Sequence, residues 1–266
     1  MGVNESNSLL TSVAICAKLV FYICSECKGR KPMKLTPQEI QLFRHNGFVK
    51  FPTQLPMDRV AALKAAALKD MEEVVEPVAR QDGRIIRISA IWERGGIFRE
   101  TITCDEILNP LESLLGSDIE YVLNRHNHIY LRDAGSSHSL ALHRDVRHWS
   151  RTIATVLVYL EDTNLENGCT RVVPGSHHLP AFATLKDDTV QEIAASQAIP
   201  LPMPAGGLLA IDSMIVHSAG VNRTDGTRMS MTLGYHSTDE LMLEDNPRRV
   251  LVRGTRPYRG NDKPGE

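Results

Sequence analysis

After its first third, the chain alternates between short apolar runs and turn-forming residues, and this alternation restricts the fold more than any other feature. From about residue 84 onwards, runs rich in Val, Ile, Leu and Thr are separated by Pro, Gly, Asn and Asp. Short runs bounded in this way are typical of strands in an antiparallel barrel or sandwich. The six predicted strands cover residues 84–91, 121–131, 152–160, 169–173, 207–216 and 228–236.

Two helices are predicted ahead of these strands. The first begins at a capping box, with Thr36 as the N-cap residue and Glu39 three positions later. Gly47 ends this helix, and a short strand is predicted at 48–51. The second helix covers residues 58–75, a stretch rich in Ala and Leu. The predicted fold class is therefore mainly β with flanking helices.

Composition limits the classes of protein to which the chain can belong. Of its 266 residues, 42% are hydrophobic and 23% are charged, close to the average for folded water-soluble domains. These values exclude a disordered chain, a collagen and a polytopic membrane protein. The net charge of −2 does not favour nucleic acid as a partner, because binding to a phosphate backbone requires an excess of Lys and Arg.

The five cysteines are odd in number and scattered, which argues against a disulfide framework and favours a reducing, cytoplasmic location. Cys24 and Cys27 have the spacing of half a zinc site, but no second pair accompanies them in the sequence. Ordinary free thiols are the simpler interpretation. The sequence indicates no particular oligomeric state.

Three parts are predicted along the chain: an extension of uncertain role at residues 1–34, a main domain at 35–246 and a polar tail at 247–266. The extension contains an apolar run, 9–24, that is interrupted by a lysine and is shorter than the roughly 20 residues needed to span a bilayer. Membrane association is therefore not expected, although the first residues fit the pattern for N-myristoylation. Two other interpretations are a packed amphipathic helix and a translation start at Met33.

Two histidines and an aspartate form the most informative pattern. His143 and Asp145 are one residue apart, and on a strand their side chains would point to the same side. Alone, this spacing also fits an exposed ion pair. A second histidine, His217, ends the strand-like run 210–216, and Arg228 opens the next strand after a turn-rich stretch. His217 and Arg228 can therefore lie on neighbouring antiparallel strands.

This combination has a known chemical use. Two histidines and one carboxylate form the facial triad of non-haem Fe(II) oxygenases, which leaves three positions on the metal open. An arginine near the second histidine can bind a carboxylate through two hydrogen bonds. The pattern fits a dicarboxylic keto acid that chelates iron and reaches Arg228 with its far carboxylate.

Four stretches of the chain resemble the phytanoyl-CoA dioxygenase (PhyH-like) family of Fe(II)/2-oxoglutarate oxygenases, and they occur in the family's order. They are LTPQE through NGFV at 35–49, HRD at 143–145, ENGC through PGSH at 166–177, and the block from His217 to Arg228. The resemblance implies a double-stranded β-helix, which is a cupin-like jelly roll.

The resemblance also implies the ligands and the reaction. Fe(II) is expected on His143, Asp145 and His217, and 2-oxoglutarate on the iron and Arg228. The strand before the iron-binding histidine contributes to the co-substrate pocket in this family, and His128 is its candidate here. O2 and 2-oxoglutarate would be used to hydroxylate, or otherwise oxidise, a small-molecule substrate, with release of succinate and CO2. The carboxylate of Asp145 argues against halogenation, and relatives in natural-product pathways favour secondary metabolism.

Two alternatives stay open from the sequence. The chain could be a non-catalytic jelly-roll protein that binds a ligand, although such a protein has no chemical need of a complete triad. A cupin-type metal pair at His126 and His128 is less favoured, because the nearest acidic residue is Asp133 rather than a glutamate four or five residues later. Arg147 and Trp149 are candidates for the border of the substrate pocket.

The remaining polar residues near these patterns have simpler expected roles. Arg144, between two predicted ligands, is expected to face away from the metal into solvent. His177 and His178 are expected at the surface or in a turn, and Asn222 is expected to shape a turn. The long segment 177–200 is expected to help form the substrate pocket.

Overall fold

The computed structural model describes residues 33–134, 141–146, 153–179, 188–238 and 248–255. All of the predicted ligands lie inside these ranges. The cysteine pair at 24 and 27, the myristoylation pattern, Arg147 and Trp149 lie outside the described residues.

Five α-helices lie within the described ranges, together with one 3-10 turn at Ser176–His178. The helices are α1 (Pro37–Asn46), α2 (Met57–Glu72), α3 (Gly96–Ile102), α4 (Asp105–Leu115) and α5 (Asp188–Gln197). None of the helices in this part of the chain has both the length and the apolar character needed to cross a membrane.

Twelve strands are described. They are β1 (Phe48–Gln54), β2 (Val78–Gln81), β3 (Arg84–Ser89), β4 (Ile119–Val122), β5 (Asn127–Arg132), β6 (Ile153–Tyr159), β7 (Thr170–Val172), β8 (Ile199–Leu201), β9 (Gly207–Asp212), β10 (His217–Ala219), β11 (Arg228–Ser237) and β12 (Arg249–Arg253).

The strands form two antiparallel sheets. The larger has the order β1-β9-β6-β11-β5-β3-β2, with β4 paired to the end of β11 and β12 paired to β4. The smaller has the order β10-β7-β8. An isolated bridge between His143 and His217 attaches segment 141–146 to β10, on the edge that β7 leaves free. These sheets are the two walls of the jelly roll.

The central strands of the larger sheet separate an apolar layer from a cavity. On β11, Met231 and Leu233 are fully buried in the main hydrophobic cluster, to which α1, α2, α3 and α4 also contribute. The alternate residues Ser230 and Thr232 line the cavity. Because successive side chains of a strand point to opposite faces, β11 connects the hydrophobic core directly to the cavity wall.

The first helix forms as its capping pattern predicts. Oγ1 of Thr36 accepts a hydrogen bond from the Glu39 N–H at 3.2 Å, and the Glu39 carboxylate accepts one from the Thr36 N–H at 2.7 Å. Gly47 ends α1 with a φ of 80°. A Cβ at this position would lie 2.5 Å from Nδ1 of His177, so glycine is required here by both backbone and packing.

All six predicted strands are present with shifted ends, but the predicted strand 121–131 is divided into β4 and β5. Between them, His126 has a φ of 51°, a left-handed conformation that interrupts an extended strand. The prediction of one continuous strand is wrong because this turn contains no Gly or Pro to mark it.

Several short elements have no clear sequence signal, and β12 is the most informative of them. The sequence assigns 247–266 to a polar tail, but Arg249–Arg253 pairs with β4 and extends the larger sheet past residue 246. Arginines occupy both ends of β12, and most of its side chains are only half-buried. Its hydrophobic alternation is therefore weak.

Candidate metal centre

The structure brings His143, Asp145 and His217 together. Their ligand atoms lie within 4.8 Å of one another, and the described residues contain no other such cluster of three or more His, Cys, Asp or Glu side chains. Oδ1 of Asp145 is 3.6 Å from Nε2 of His217 and 3.9 Å from Nε2 of His143. The N–H of each histidine donates to the carbonyl of the other at 2.9 Å, which holds two distant parts of the chain in register.

Backbone carbonyls orient both histidine rings. Nδ1 of His143 lies 2.8 Å from the carbonyl oxygen of Ala141, and Nδ1 of His217 lies 3.0 Å from that of Ile215. Because a carbonyl oxygen can only accept, each Nδ1 carries the proton and each Nε2 keeps a free lone pair. Metal-binding histidines are commonly oriented by such a bond. Burial, together with the neighbouring His217, lowers the pKa of His143 and favours its neutral ring.

Asp145 is buried, with 2% of its side chain exposed, and its two oxygens have different neighbours. Oδ2 accepts a hydrogen bond of 2.7 Å from Oγ1 of Thr155 on β6, and this hydroxyl also contacts Oγ of Ser213 at 2.9 Å. Oδ1 faces the histidines. Burial alone would raise the pKa of Asp145, but the nearby histidines and the Thr155 hydroxyl outweigh it and lower the pKa.

Asp145 therefore carries a buried negative charge, and no cation in the described part of the chain matches it. Among the described residues, its ion-pair neighbours are His126, His143 and His217, and no Lys or Arg pairs with it. Burial lowers the pKa of His126 to about 4, so that ring is neutral near pH 7. An unpaired buried charge is costly, and a divalent cation held by the three ligands would neutralise it.

His126, which the sequence suggested only as half of a less favoured cupin-type pair, lies beside this cluster. Its Nε2 is 3.3 Å from Oδ1 of Asp145, and its Nδ1 is buried without a hydrogen-bond partner. The left-handed turn fits against β11 because Gly234 lies there, where a Cβ would be 3.2 Å from that of His126. The one signal in the sequence was strand alternation, which places His126 on the same face as His128.

Arg228 opens β11 and is buried, with 5% of its surface exposed. Its Nη1 donates to the carbonyl oxygen of Gly168, and its Nε is buried without a hydrogen-bond partner. Burial and the positive charge of Arg132, directly opposite on β5, lower its pKa to about 10, so it stays protonated at neutral pH. Gly168 is needed in the ENGC stretch because a Cβ would lie 2.3 Å from the carbonyl oxygen of Gly220.

The candidate ligands and Arg228 line one cavity of about 250 Å³. His128 lines it too, with its ring between those of His126 and Tyr130 at centroid distances of 6.0 and 6.2 Å. Burial, followed by the nearby His126, lowers the pKa of His128 to about 3, so this ring is also neutral. The structure thus places His128 in the cavity wall rather than on the metal cluster.

The charges around this cavity are unequal. Its described lining contains three arginines, Arg87 on β3, Arg132 on β5 and Arg228 on β11, but one carboxylate, Asp145. Sequence reasoning identified Arg228 and missed the other two, because only the pairing of β3, β5 and β11 places them side by side. The cavity is therefore suited to an anionic ligand.

One expectation about a neighbouring residue is wrong. Arg144 does not end in solvent: its Nη2 donates to the carbonyl oxygens of Ser176 and Leu179 at 2.5 and 2.6 Å. His177 is in a turn, as expected, but it is buried there, and its Nε2 donates to the carbonyl oxygen of Arg44 at 2.9 Å. These partners are far apart in sequence, so no local pattern could reveal them.

Asn222 does shape a turn, as predicted. Its side-chain amide donates to the carbonyl oxygens of Gly226 and Asp133 at 2.8 and 3.1 Å, and its Oδ1 accepts from the Thr224 N–H at 3.1 Å. The cupin-type alternative receives no support from the geometry. In the part of the chain described, the one candidate metal cluster does not include His126, His128 or Asp133.

Comparison with known proteins gives the family. Phytanoyl-CoA dioxygenase (PhyH) is the family whose pattern matches, over residues 43–230. The chain belongs to this family. Ectoine dioxygenase from Streptomyces avermitilis is 22% identical over 250 residues, which cover 80% of this chain and 82% of that protein. Dioxygenase aneA from Aspergillus aculeatus is 40% identical over 91 residues, which cover 32% of this chain and 28% of that protein.

A solved structure supports the fold of this PhyH-family chain. The non-heme alpha ketoglutarate dependent carbocyclase SnoK from nogalamycin biosynthesis superposes with a TM-score of 0.68 at 21% identity, over 79% of this chain and 88% of that one. The predicted jelly roll is thereby confirmed. The family match and the dioxygenase relatives confirm the predicted enzyme class, a dioxygenase.

Proposed function

We propose that His143, Asp145 and His217 bind Fe(II), that Arg228 binds the far carboxylate of 2-oxoglutarate, and that the protein uses O2 to oxidise a small-molecule substrate. The observation that carries the proposal is the buried Asp145 carboxylate, whose ion-pair neighbours among the described residues are three histidines and no Lys or Arg. When bound, iron and 2-oxoglutarate supply the oxidising power, with conversion of the keto acid to succinate and CO2.

The donor set fits Fe(II) in number and type. Two imidazole nitrogens and one carboxylate oxygen are typical of non-haem iron sites that keep positions open for other ligands. The Thr155 hydroxyl occupies Oδ2 of Asp145, so Oδ1 is the oxygen free to bind. The carbonyls of Ala141 and Ile215 hold the two rings with Nε2 towards this oxygen. The protein therefore sets the ligand geometry before the metal arrives.

The other end of the cavity fits the co-substrate. Arg228 has a buried Nε without a hydrogen-bond partner, and its guanidinium is held in place by the Gly168 carbonyl. A second guanidinium, that of Arg132, lies on the facing residue of β5. An arginine fork binds a carboxylate through two parallel hydrogen bonds. We assign His128, a neutral ring in the same wall, to the lining of the co-substrate pocket.

The proposed substrate is a small molecule of a biosynthetic pathway, and the simplest outcome is hydroxylation. The names of the relatives support this, since they include an ectoine dioxygenase and a carbocyclase of nogalamycin biosynthesis. The cavity is also of a size that suits a small ligand rather than a macromolecule. We place the protein in the cytoplasm; its described cysteines, Cys104 and Cys169, are free thiols, which supports a reducing location.

Succinate formation without a prime substrate tests the proposal. Metal-free protein is resupplied with Fe(II), 2-oxoglutarate and O2, and succinate is measured for wild type and for His143→Ala, Asp145→Ala and Arg228→Ala. The first two variants should form none, because each loses a ligand. Arg228→Ala should need far more 2-oxoglutarate for the same rate, because it loses the carboxylate partner. His45→Ala, at an exposed position on α1, is the control and should behave as wild type.

Anaerobic binding of Fe(II) and 2-oxoglutarate to the wild type completes the test. Binding together with iron-dependent succinate formation supports the assignment. If the wild type binds neither, the metal centre is wrongly assigned. If the triad variants form as much succinate as His45→Ala, the iron ligands lie elsewhere.

A further inference from the structure

Both segments that carry the proposed ligands are tied to one turn, residues 175–179. The first tie comes from the His217 side. The N–H of Val216, immediately before His217, donates to Oγ of Ser176 at 2.8 Å, and Ser176 is 1% exposed. The Val216 carbonyl oxygen accepts from the N–H of Val173 at 2.8 Å. The backbone entering His217 is therefore fixed to the 175–179 turn by one buried hydrogen bond and to Val173, just before the turn, by another.

The second tie is Arg144, which lies between His143 and Asp145. Its Nη2 donates to the carbonyl oxygens of Ser176 and Leu179, at 2.5 and 2.6 Å. Hydrogen bonds from a charged donor are among the stronger ones in proteins. The same turn thus contacts the residue beside His217 and the residue between the other two ligands.

The 175–179 turn is itself held by the end of α1. Nε2 of His177 and Nε2 of His178 both donate to the carbonyl oxygen of Arg44 at 2.9 Å. The N–H of Gly175 donates to the carbonyl oxygen of Asn46 at 3.0 Å. The turn is therefore a fixed reference point for both ligand segments.

We infer that Arg144 is a positioning residue for the metal centre: through Ser176 and Leu179 it sets where His143 and Asp145 lie relative to His217. Segment 141–146 has other contacts as well: Thr155 donates to Oδ2 of Asp145, Gln191 donates to the Leu142 carbonyl oxygen at 3.3 Å, and Leu142 packs on Val173 and Val216. The bridge to His217 holds His143, and the N–H groups of Asp145 and Val146 donate to the Ser213 carbonyl at 3.0 and 3.1 Å.

This inference rests on the proposed metal site and deepens it. Residues that orient metal ligands typically change metal affinity by about 10–100-fold when they are altered, and we expect Arg144 to act at the lower end of this range. Its side chain is not among those that line the cavity, so the effect should appear in metal binding before any chemistry.

The test is a Co(II) titration of the metal-free full chain, followed by the visible absorption of bound Co(II), which reports its coordination. Arg144→Gln should bind Co(II) about 10-fold more weakly than wild type and with an altered spectrum. Arg144→Lys keeps the charge that faces Asp212, but its side chain ends one bond short of Nη2. Its Co(II) affinity should therefore lie between those of wild type and Arg144→Gln. Thermal unfolding of each metal-free protein separates positioning from loss of folding.

Arg171→Gln is the matched control. Arg171 lies on β7, and its Nη2 also donates to two backbone carbonyls, those of Ala195 and Ala198, at 3.3 and 3.4 Å. These contacts do not involve a ligand segment. We expect its Co(II) affinity to equal that of wild type.

The outcomes are distinct. Tight Co(II) binding by wild type with the same affinity in Arg144→Gln would overturn this inference and leave the metal centre intact. An equal loss in Arg171→Gln would also overturn it, because the effect would not be specific to the 175–179 turn. If Arg144→Gln does not fold, Arg144→Lys decides: wild-type affinity contradicts the inference and a weaker affinity supports it. No Co(II) binding by the wild type would overturn the proposed metal site, and this inference with it.

Discussion

The two sheets that enclose the cavity are stabilised in different ways. On the larger sheet, all ten residues of β11 are buried, and its outer face packs on the hydrophobic core. The strands of the smaller sheet have three residues each, and segment 141–146 joins that sheet through a single bridge. The first sheet packs on the main hydrophobic cluster, whereas the buried apolar residues of the second, Val172 and Leu201, belong to a smaller cluster.

The proposed iron ligands lie on the smaller sheet and on segment 141–146, which is bridged to it. His217 lies on β10 and His143 is bridged to it, whereas the larger sheet supplies Thr155 and Arg228 around them. Changes in the core should therefore alter stability, and changes in the hydrogen bonds around segment 141–146 should alter metal affinity. Substitutions that change stability without changing metal affinity, or metal affinity without changing stability, test this difference between the sheets.

The largest effect is expected from a substitution in the core face of the larger sheet. Leu233 on β11 is fully buried, and Leu233→Ala should lower the free energy of unfolding by about 2–5 kcal/mol, because it leaves a cavity in packed surroundings. Urea denaturation of the metal-free protein measures this. Leu251→Ala on β12, where the side chain is 40% exposed, is the control and should cost far less. Equal losses would contradict a main stabilising role for the buried face of β11.

A smaller effect on folding, but a clear effect on metal binding, is expected at Thr155. Thr155→Val keeps the shape and removes the hydroxyl that donates to Oδ2 of Asp145, so Co(II) affinity should fall by about 10-fold or more. Thr232→Val is the control, because Thr232 lines the same cavity and has no described contact with a ligand. If both variants bind Co(II) as wild type does, the Thr155 hydroxyl does not orient Asp145.

Acidification should act through His128 on the larger sheet. Its pKa is lowered from 6.5 to about 3 by burial, so between these values the unfolded chain binds a proton that the folded chain does not. Stability must therefore fall as the pH drops below about 6.5, by about 2 kcal/mol at pH 5 for this group. His128→Gln should lose about that much less than wild type between pH 7 and pH 5, measured by urea denaturation.

The control for this prediction is His45→Gln, which changes an exposed histidine on α1. It should keep the wild-type dependence of stability on pH. If His128→Gln shows the same dependence as wild type, then His128 is protonated in the folded protein near its ordinary pKa, and its ring is not shielded from water as described.

The parts of the molecule that a sequence can reveal are those with local patterns. The capping box of α1 and the buried run of β11 involve neighbouring residues, and HRD at 143–145 is a compact motif. Thr155 and Ser213 lack such a pattern, because their contact joins residues 58 positions apart. The same is true of Arg144 and its partner in the 175–179 turn, 32 positions away. The proposed ligands could therefore be named from the sequence, whereas the residues that contact them from distant parts of the chain could not.

Irregular backbone and very short strands explain the remaining differences. The left-handed conformation of His126 is unusual for a residue other than glycine, and it divides a predicted strand where no Gly or Pro marks the position. Strands of three residues, such as β8 and β10, are too short to show an alternation. Their existence depends on pairing with β7, which is a property of the fold.

The smallest effect is expected at Thr36, far from the metal centre, where a substitution should change stability but not metal binding. Thr36→Ala removes the N-cap of α1 and should lower the free energy of unfolding by about 1 kcal/mol. It should leave Co(II) affinity unchanged, because the 175–179 turn is fixed by Arg44 and Asn46 at the opposite end of α1. Urea denaturation and Co(II) titration of the same preparation measure both quantities. A loss of affinity in Thr36→Ala would mean that the whole helix, and not its last turn alone, holds the ligand segments in place.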